Sequence, residues 1–175
     1  MSEAGLGRPQ TSEYHPYFEL YVSKVPEERV VPVLDAQRGE IQRFLGSVPE
    51  SRGGHRYAEG KWSIRQVVGH LTDTERLFTY RALCFARGEK QNLPGFDEDA
   101  YAAEAGFDAV PLRGLVEELL MVREATLRFY RHLPDAAWAR GGTANQKVLT
   151  VRSLAYIMAG HVRHHLMVLR ERYGV

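Results

Sequence analysis

The stretch AGHVRHHLMVLRERYG, residues 159–174, decides the fold. It reads as an amphipathic helix that sets three histidines, His161, His164 and His165, into five positions. On an ideal helical wheel each residue advances about 100°. With His161 at zero, Leu154 falls near about 20°, His165 about 40°, Met158 about 60°, Val168 about −20° and Ile157 about −40°. His161 and His165 therefore lie in the middle of the apolar stripe. His164, at about −60°, falls at its edge, toward a groove or solvent. The helix is expected to begin near Thr150 and to run to Tyr173, with Gly174 closing it.

Three earlier segments carry the same periodicity. One covers Glu27 to Val48, with Leu34, Ile41, Phe44, Leu45 and Val48 at helical spacing and Pro32 blurring its start. The next begins after Trp62, where Ser63 caps and Gln66 stands three residues later as in a capping box. Ile64, Val67, Val68, Leu71, Phe78, Ala82 and Phe85 mark its buried stripe, and it ends at Gly88. The third runs from Pro111 to about His132, with Leu112, Leu115, Leu119, Tyr130 and Leu133 inward. No strand run competes with these four segments. The chain reads as all-α, a four-helix bundle. The connection across residues 88–110 is long enough for a crossover, and loops of that length are commonly lids or binding segments, so it should cover something. Residues 1–13 read as a flexible tail and 14–175 as a single domain, opened by the aromatic lead-in YHPYFELYVSKVP, a packed segment or short helix.

Composition bounds the partners. The chain has 175 residues, enough for one domain with a sizeable core, and 23 basic against 22 acidic side chains give a net charge of +1. That balance offers no general attraction for nucleic acid or an anionic membrane. The lone Cys84 forms no internal disulfide, and no apolar run suggests a signal peptide or membrane span, so a cytoplasmic protein is expected.

Two imidazoles in an apolar stripe are costly to bury unless their ring nitrogens find partners. Spacing i, i+4 brings His161 and His165 within reach of one ion, as in zinc-binding HxxxH pairs, although such pairs are often structural. His70, beside Val67 and Thr74 on the flank of its helix, is the candidate third ligand. His15, His55 and His132 lie in the lead-in, a loop and a helix end. Three nitrogen ligands leave a coordination position open for water or substrate, and a metal so held lowers the pKa of bound water or stabilises a thiolate.

Glu75 and Arg123 fall on inward stripes, where unpaired burial of either charge is expensive. They are expected to pair with each other, or Glu75 to reach a histidine ring. Asp73 suits a solvated face or an imidazole partner. Arg81 could approach an anionic ligand or bridge to a loop acid, and Arg152 could meet a substrate carboxylate. Trp62 anchors the helix start or walls a pocket. Cys84, about 21 Å along the helix from His70, is a poor ligand.

The runs GKWSIRQVVGHLTDTERLFTYRALCFARGE, LPGFDEDAY, VREATLRFY and LTVRSLAYIMAGHVRHHLMVLRERY resemble the DinB/YfiT-like superfamily of small four-helix metalloproteins, from about Tyr17 to Tyr173. That family's pattern, one histidine near the start of the second helix and an HxxxH pair on the last, falls on His70, His161 and His165. The resemblance implies an up-down-down-up bundle, a divalent metal such as zinc or nickel, and a homodimer. It also implies S-transferase chemistry with a low-molecular-weight thiol such as bacillithiol or mycothiol, or action as a metal-dependent hydrolase. The leading expectation is an enzyme that activates a thiol or water for attack on an electrophilic small-molecule substrate. The alternative is a non-enzymatic metal-binding stress or sensor module, which closed coordination without a cavity would favour.

Overall fold

The computed structural model describes residues 7–175. Four long helices form the bundle: α2 (Val30–Gly46), α3 (Ile64–Ala86), α5 (Leu112–Arg131) and α6 (Val151–Tyr173). Two shorter ones, α1 (Glu19–Val22) and α4 (Glu98–Glu104), lie in the lead-in and in the connection between α3 and α5. No helix among the described residues is long and apolar enough to cross a membrane.

Local chemistry sets the helix ends close to where the sequence places them. Ser63 Oγ accepts from Gln66 N at 3.1 Å while Gln66 Oε1 accepts from Ser63 N at 3.0 Å, which completes the expected capping box of α3. Thr150 and Ser153 form the same reciprocal pair at the start of α6, and Gly174 closes it in the left-handed conformation. The first long helix starts at Val30 rather than Glu27: extended Arg29 is its N-cap, which leaves Pro32 in the first turn, where a missing N–H costs nothing.

Around the bundle the order is α2, α5, α3, α6, with α2 and α3 diagonal. Side-chain ties give the directions. Arg131 meets Asp35 and Arg38 meets Glu124, so α2 and α5 are antiparallel. Arg76 meets Glu118 and Thr79 meets Thr126, so α3 and α5 are parallel. Thr79 meets Met158 and His70 meets His165, so α3 and α6 are antiparallel. The result is up-down-down-up, with residues 88–110 making the crossover.

Two expectations are corrected. Residues 141–150 are not merely a loop: β1 (Gly141–Ala144) pairs antiparallel with β2 (Lys147–Thr150). Asn145 and Gln146 turn the corner at φ 50° and 61°, the type I′ geometry that matches the strands' twist. The crossover, expected to cover something, is itself structured. It carries α4, capped by the Asp97 side chain, and Leu93 bonds to Thr143 and Asn145 of the hairpin. The tail boundary after residue 13 falls too late: Gly7 N donates to Glu28 O, and Glu13 takes both Thr150 Oγ1 and the Arg152 guanidinium. Residues 1–6 lie outside the described residues.

A buried polar layer divides the core. Arg123, fully buried, makes a two-pronged ion pair with Glu75, each N···O distance 2.7 Å. Its Nη1 donates to Gln37 Oε1 at 2.8 Å and Leu34 O at 3.2 Å, and Gln37 Nε2 donates to Ala159 O at 2.8 Å. One connected network thus touches all four helices. Leu34, Phe78 and Leu127 pack on one side of it, Ile41, Leu71 and Leu119 on the other.

Removing one partner of a buried pair strands the other charge, typically at 3–5 kcal/mol, whereas apolar replacement of both is far cheaper. Glu75→Leu is therefore expected to lose about 3–5 kcal/mol in urea denaturation. Adding Arg123→Met should recover at least half of that loss. Additive losses in the double variant would contradict a coupled pair.

Candidate metal centre

His70 on α3 and His161 and His165 on α6 bring their ring nitrogens together. His70 Nε2 and His165 Nε2 each lie 3.1 Å from His161 Nε2, and the three ligand atoms all fall within 4.8 Å of one another. His161 is 5 % and His70 9 % exposed, and His165 opens partly to a cavity. No further His, Cys, Asp or Glu among the described residues joins the cluster.

Hydrogen bonding alone does not satisfy this arrangement. An imidazole nitrogen offers in its plane one proton or one lone pair, so His161 Nε2 cannot complete bonds to both neighbours. The Thr74 hydroxyl, 3.5 Å from the His70 nitrogens, adds little. A divalent cation would take one lone pair from each ring. Tetrahedral coordination at 2.0–2.1 Å separates nitrogen ligands by about 3.3 Å, close to what the cluster already has. The donor set therefore fits a borderline-soft divalent ion.

Burial also holds the rings neutral, as metal ligation requires. It pushes His70 down to about 4 from 6.5. Burial lowers His161 well below its ordinary value, with His165, His70 and His164 adding repulsion. The same causes act on His165, burial first and then His70 and His164.

The cluster lies on the α3–α6 seam, outside the polar layer, where other segments build walls around it. A cavity of about 190 Å³ opens over the histidines. Tyr17, Phe18 and Tyr21 come from the lead-in, Phe96 and Glu98 from the crossover, and Asn145 and Lys147 from the hairpin. Tyr21 sets its ring edge-on to His161 and His164, and Trp62 lies against His70 with ring centroids 4.6 Å apart. Trp62 is thus both helix anchor and pocket wall.

Two glycines make this enclosure possible. Each helix that carries the histidine cluster reads Gly-His, Gly69-His70 and Gly160-His161. A Cβ on Gly160 would collide with the Tyr21 backbone, and one on Gly69 with the Phe107 ring. The bare backbone lets lead-in and crossover close on either side of the cluster. Sequence reasoning missed both, although a glycine inside a helical pattern signals close approach.

The remaining candidates separate cleanly. Glu75 pairs with Arg123 and reaches no histidine. Asp73 stays on the outer face with Arg76, 3.5 Å away. Arg152 is held by Glu13 and is not among the cavity's walls, so it does not meet a substrate there. His164 is outside the triad, lines the cavity, and keeps a buried Nδ1 with no protein partner. Among the described residues Arg81 finds no loop acid and bonds instead to Pro94 O.

Comparison with known proteins places these features. The sequence model of the DinB superfamily matches residues 34–169. YfiT of Bacillus subtilis, described as a probable metal-dependent hydrolase with an unusual four-helix bundle topology, is 22 % identical over 98 % of this chain and 96 % of its own. OB0413 of Oceanobacillus iheyensis, which shares the hydrolase designation, is 21 % identical over 85 % of this chain and 90 % of its own. The YfiT structure superposes with a TM-score of 0.73 over 83 % of this chain and 86 % of that one. A mycothiol-dependent maleylpyruvate isomerase, 18 % identical, gives 0.62 over 83 % of this chain and 61 % of that one. At these identities the superpositions establish the fold.

The depressed histidine pKa values have a consequence for the metal-free protein. Above pH 6.5 the folded and unfolded chains both hold His70 neutral. As pH falls from 6.5 toward 4, the unfolded chain takes up a proton that the folded one refuses, so stability drops. The expected slope is about 1.4 kcal/mol per pH unit from this histidine alone. Urea denaturation of chelator-treated protein between neutral and mildly acidic pH measures it. A flat profile, or one unchanged by His70→Ala, would contradict the buried neutral cluster.

Proposed function

The chain belongs to the DinB superfamily, and from that premise we propose that it is a metal-dependent enzyme acting on an electrophilic small molecule. His70, His161 and His165 would hold one divalent ion, with zinc or nickel suited to imidazole donors. When bound, the ion supplies Lewis acidity, lowering the pKa of a thiol or water so that a nucleophile exists at neutral pH. The observation that carries this reading is the convergence of three imidazole nitrogens, two of them on buried rings, on the floor of an open cavity.

The chain's own residues supply the setting. His161 is fixed by its place in α6 and by the Tyr21 ring, and His70 by Trp62. Phe18, Phe78 and Phe96 give the cavity wall its apolar stretch, beside the polar Thr74, Arg81, Glu98, Asn145 and Lys147. Tyr21, pushed up to about 12 chiefly by burial, stays a protonated hydrogen-bond donor beside the histidines at neutral pH. A three-histidine set beside a cavity favours catalysis over a sensor module, for which a closed set of protein ligands would suffice.

Between nucleophiles, a low-molecular-weight thiol is the preferred reading. The fold likeness to a mycothiol-dependent isomerase supports it, and the hydrolase designation of the other relatives supports water. Metal analysis should find one divalent ion per chain in the wild type and none retained by His161→Ala. Turnover of a chlorodinitrobenzene with bacillithiol or mycothiol, set against nitrophenyl ester hydrolysis without thiol, separates the two chemistries. His161→Ala should lower whichever activity is found by at least about 100-fold. Equal metal content in both proteins would overturn the ligand assignment. Activity only without thiol would overturn the transferase reading.

A further inference from the structure

Arg81 lies on α3 eleven residues after His70, about 16 Å along the axis and within about 20° of the same face. Thr74 and Phe78 occupy that face between them, and all four residues line the cavity. The arginine is only 6 % exposed. Its guanidinium stands 5.4 Å from the Phe78 ring centroid and 5.8 Å from that of Phe96. Phe78 is one turn nearer His70, so the side chain leans toward the histidines, as helical side chains do.

The ionic environment of Arg81 differs from that of Arg123, the other buried arginine among the described residues, and from that of several half-buried ones. Arg123 has Glu75, Arg152 has Glu13, Arg163 has Glu27 and Arg65 has Glu50. No carboxylate among the described residues comes within ion-pair distance of Arg81. Its single hydrogen bond, from Nη2 to Pro94 O at 2.9 Å, uses one of five N–H donors. The others have no protein acceptor among the described residues and are not sealed from the cavity. A buried cation without an anion is costly, and burial holds its pKa below the ordinary value. The cavity wall adds Lys147, whose Nζ sits 4.0 Å from the Tyr17 ring centroid, and one carboxylate, Glu98, bonded to neither cation.

We propose that Arg81 is the specificity residue of this pocket, binding a carboxylate at the end of a small molecule whose other end faces the histidines. The planar fork of N–H groups matches a carboxylate, and the two phenylalanine rings flank the apolar body that joins its ends. This rests on the proposed enzyme reading, for which it names the substrate class: an electrophilic carboxylic acid with an apolar middle.

The test compares 4-phenylbutyrate with its neutral isostere 4-phenylbutyramide by isothermal titration calorimetry at neutral pH. Zinc-loaded wild type is expected to bind the carboxylate at least tenfold more tightly. Arg81→Met, which keeps the volume and removes the charge, should bring the two within twofold, while Lys147→Met should leave most of the preference intact. Metal-free wild type should retain the preference, because Arg81 and not the ion holds the anion. Equal binding of both probes by wild type, or no binding of the carboxylate at millimolar concentration, overturns the proposal without recourse to any variant. A preference that survives Arg81→Met, or that exists only with zinc, also overturns it and leaves the metal reading standing. A preference intact in a wild type that takes up no zinc upholds Arg81 and overturns the metal reading instead.

Discussion

Arg123 is buried completely, and its charge must be answered from within the core. Glu75 answers it from α3, Gln37 and the Leu34 carbonyl from α2, and Gln37 passes the network on to the Ala159 carbonyl of α6. An apolar core tolerates sliding of one helix past another, because many packings bury similar area. A directional network does not, since a shift by one residue would strand a charge. Helix register in this bundle is therefore set at one layer, and everything else is measured from it.

The histidines stand close to that layer. His70 precedes Glu75 by five residues on α3, and His161 follows Ala159 by two on α6. Antiparallel packing of these two helices, held in register by the layer, brings Nε2 atoms from separate helices to 3.1 Å. The bundle provides the floor and, through Thr74, Phe78 and Arg81 of α3, one stretch of wall. The other walls come from the lead-in, the crossover and the hairpin, each fastened by its own contacts: Tyr21 against Gly160, Phe107 against Gly69, Leu93 along β1. Rigid helices thus hold the ligands while connecting segments shape what can approach them, which is how one bundle can host different reactions.

Much of this was legible in the sequence where a local rule operated alone. Helix spacing and the Ser63 and Thr150 caps located the long helices, and the i, i+4 pair of His161 and His165 followed from the wheel. Burial cost alone required a partner for Arg123, and Glu75 is that partner. The hairpin was hidden because Gln146 occupies a left-handed position usually marked by glycine, and because its strands are short and run straight into α6. The cavity walls were hidden for a different reason. Tyr21, Lys147 and Phe96 meet only after folding, and no spacing along the chain announces it. Arg81 and Arg152 looked alike as candidates until Glu13, assigned to a tail, proved to hold one and leave the other.

The central claim is that the register set by the polar layer creates a three-imidazole site with one face open to the cavity. X-ray absorption spectroscopy at the zinc edge of the metal-loaded protein tests it most directly. Three imidazole nitrogens at about 2.0–2.1 Å, with one further light scatterer replaced by sulfur at about 2.3 Å when thiol is added, is the expected result. Fewer than three imidazoles, or a fourth protein ligand that thiol does not displace, would contradict it.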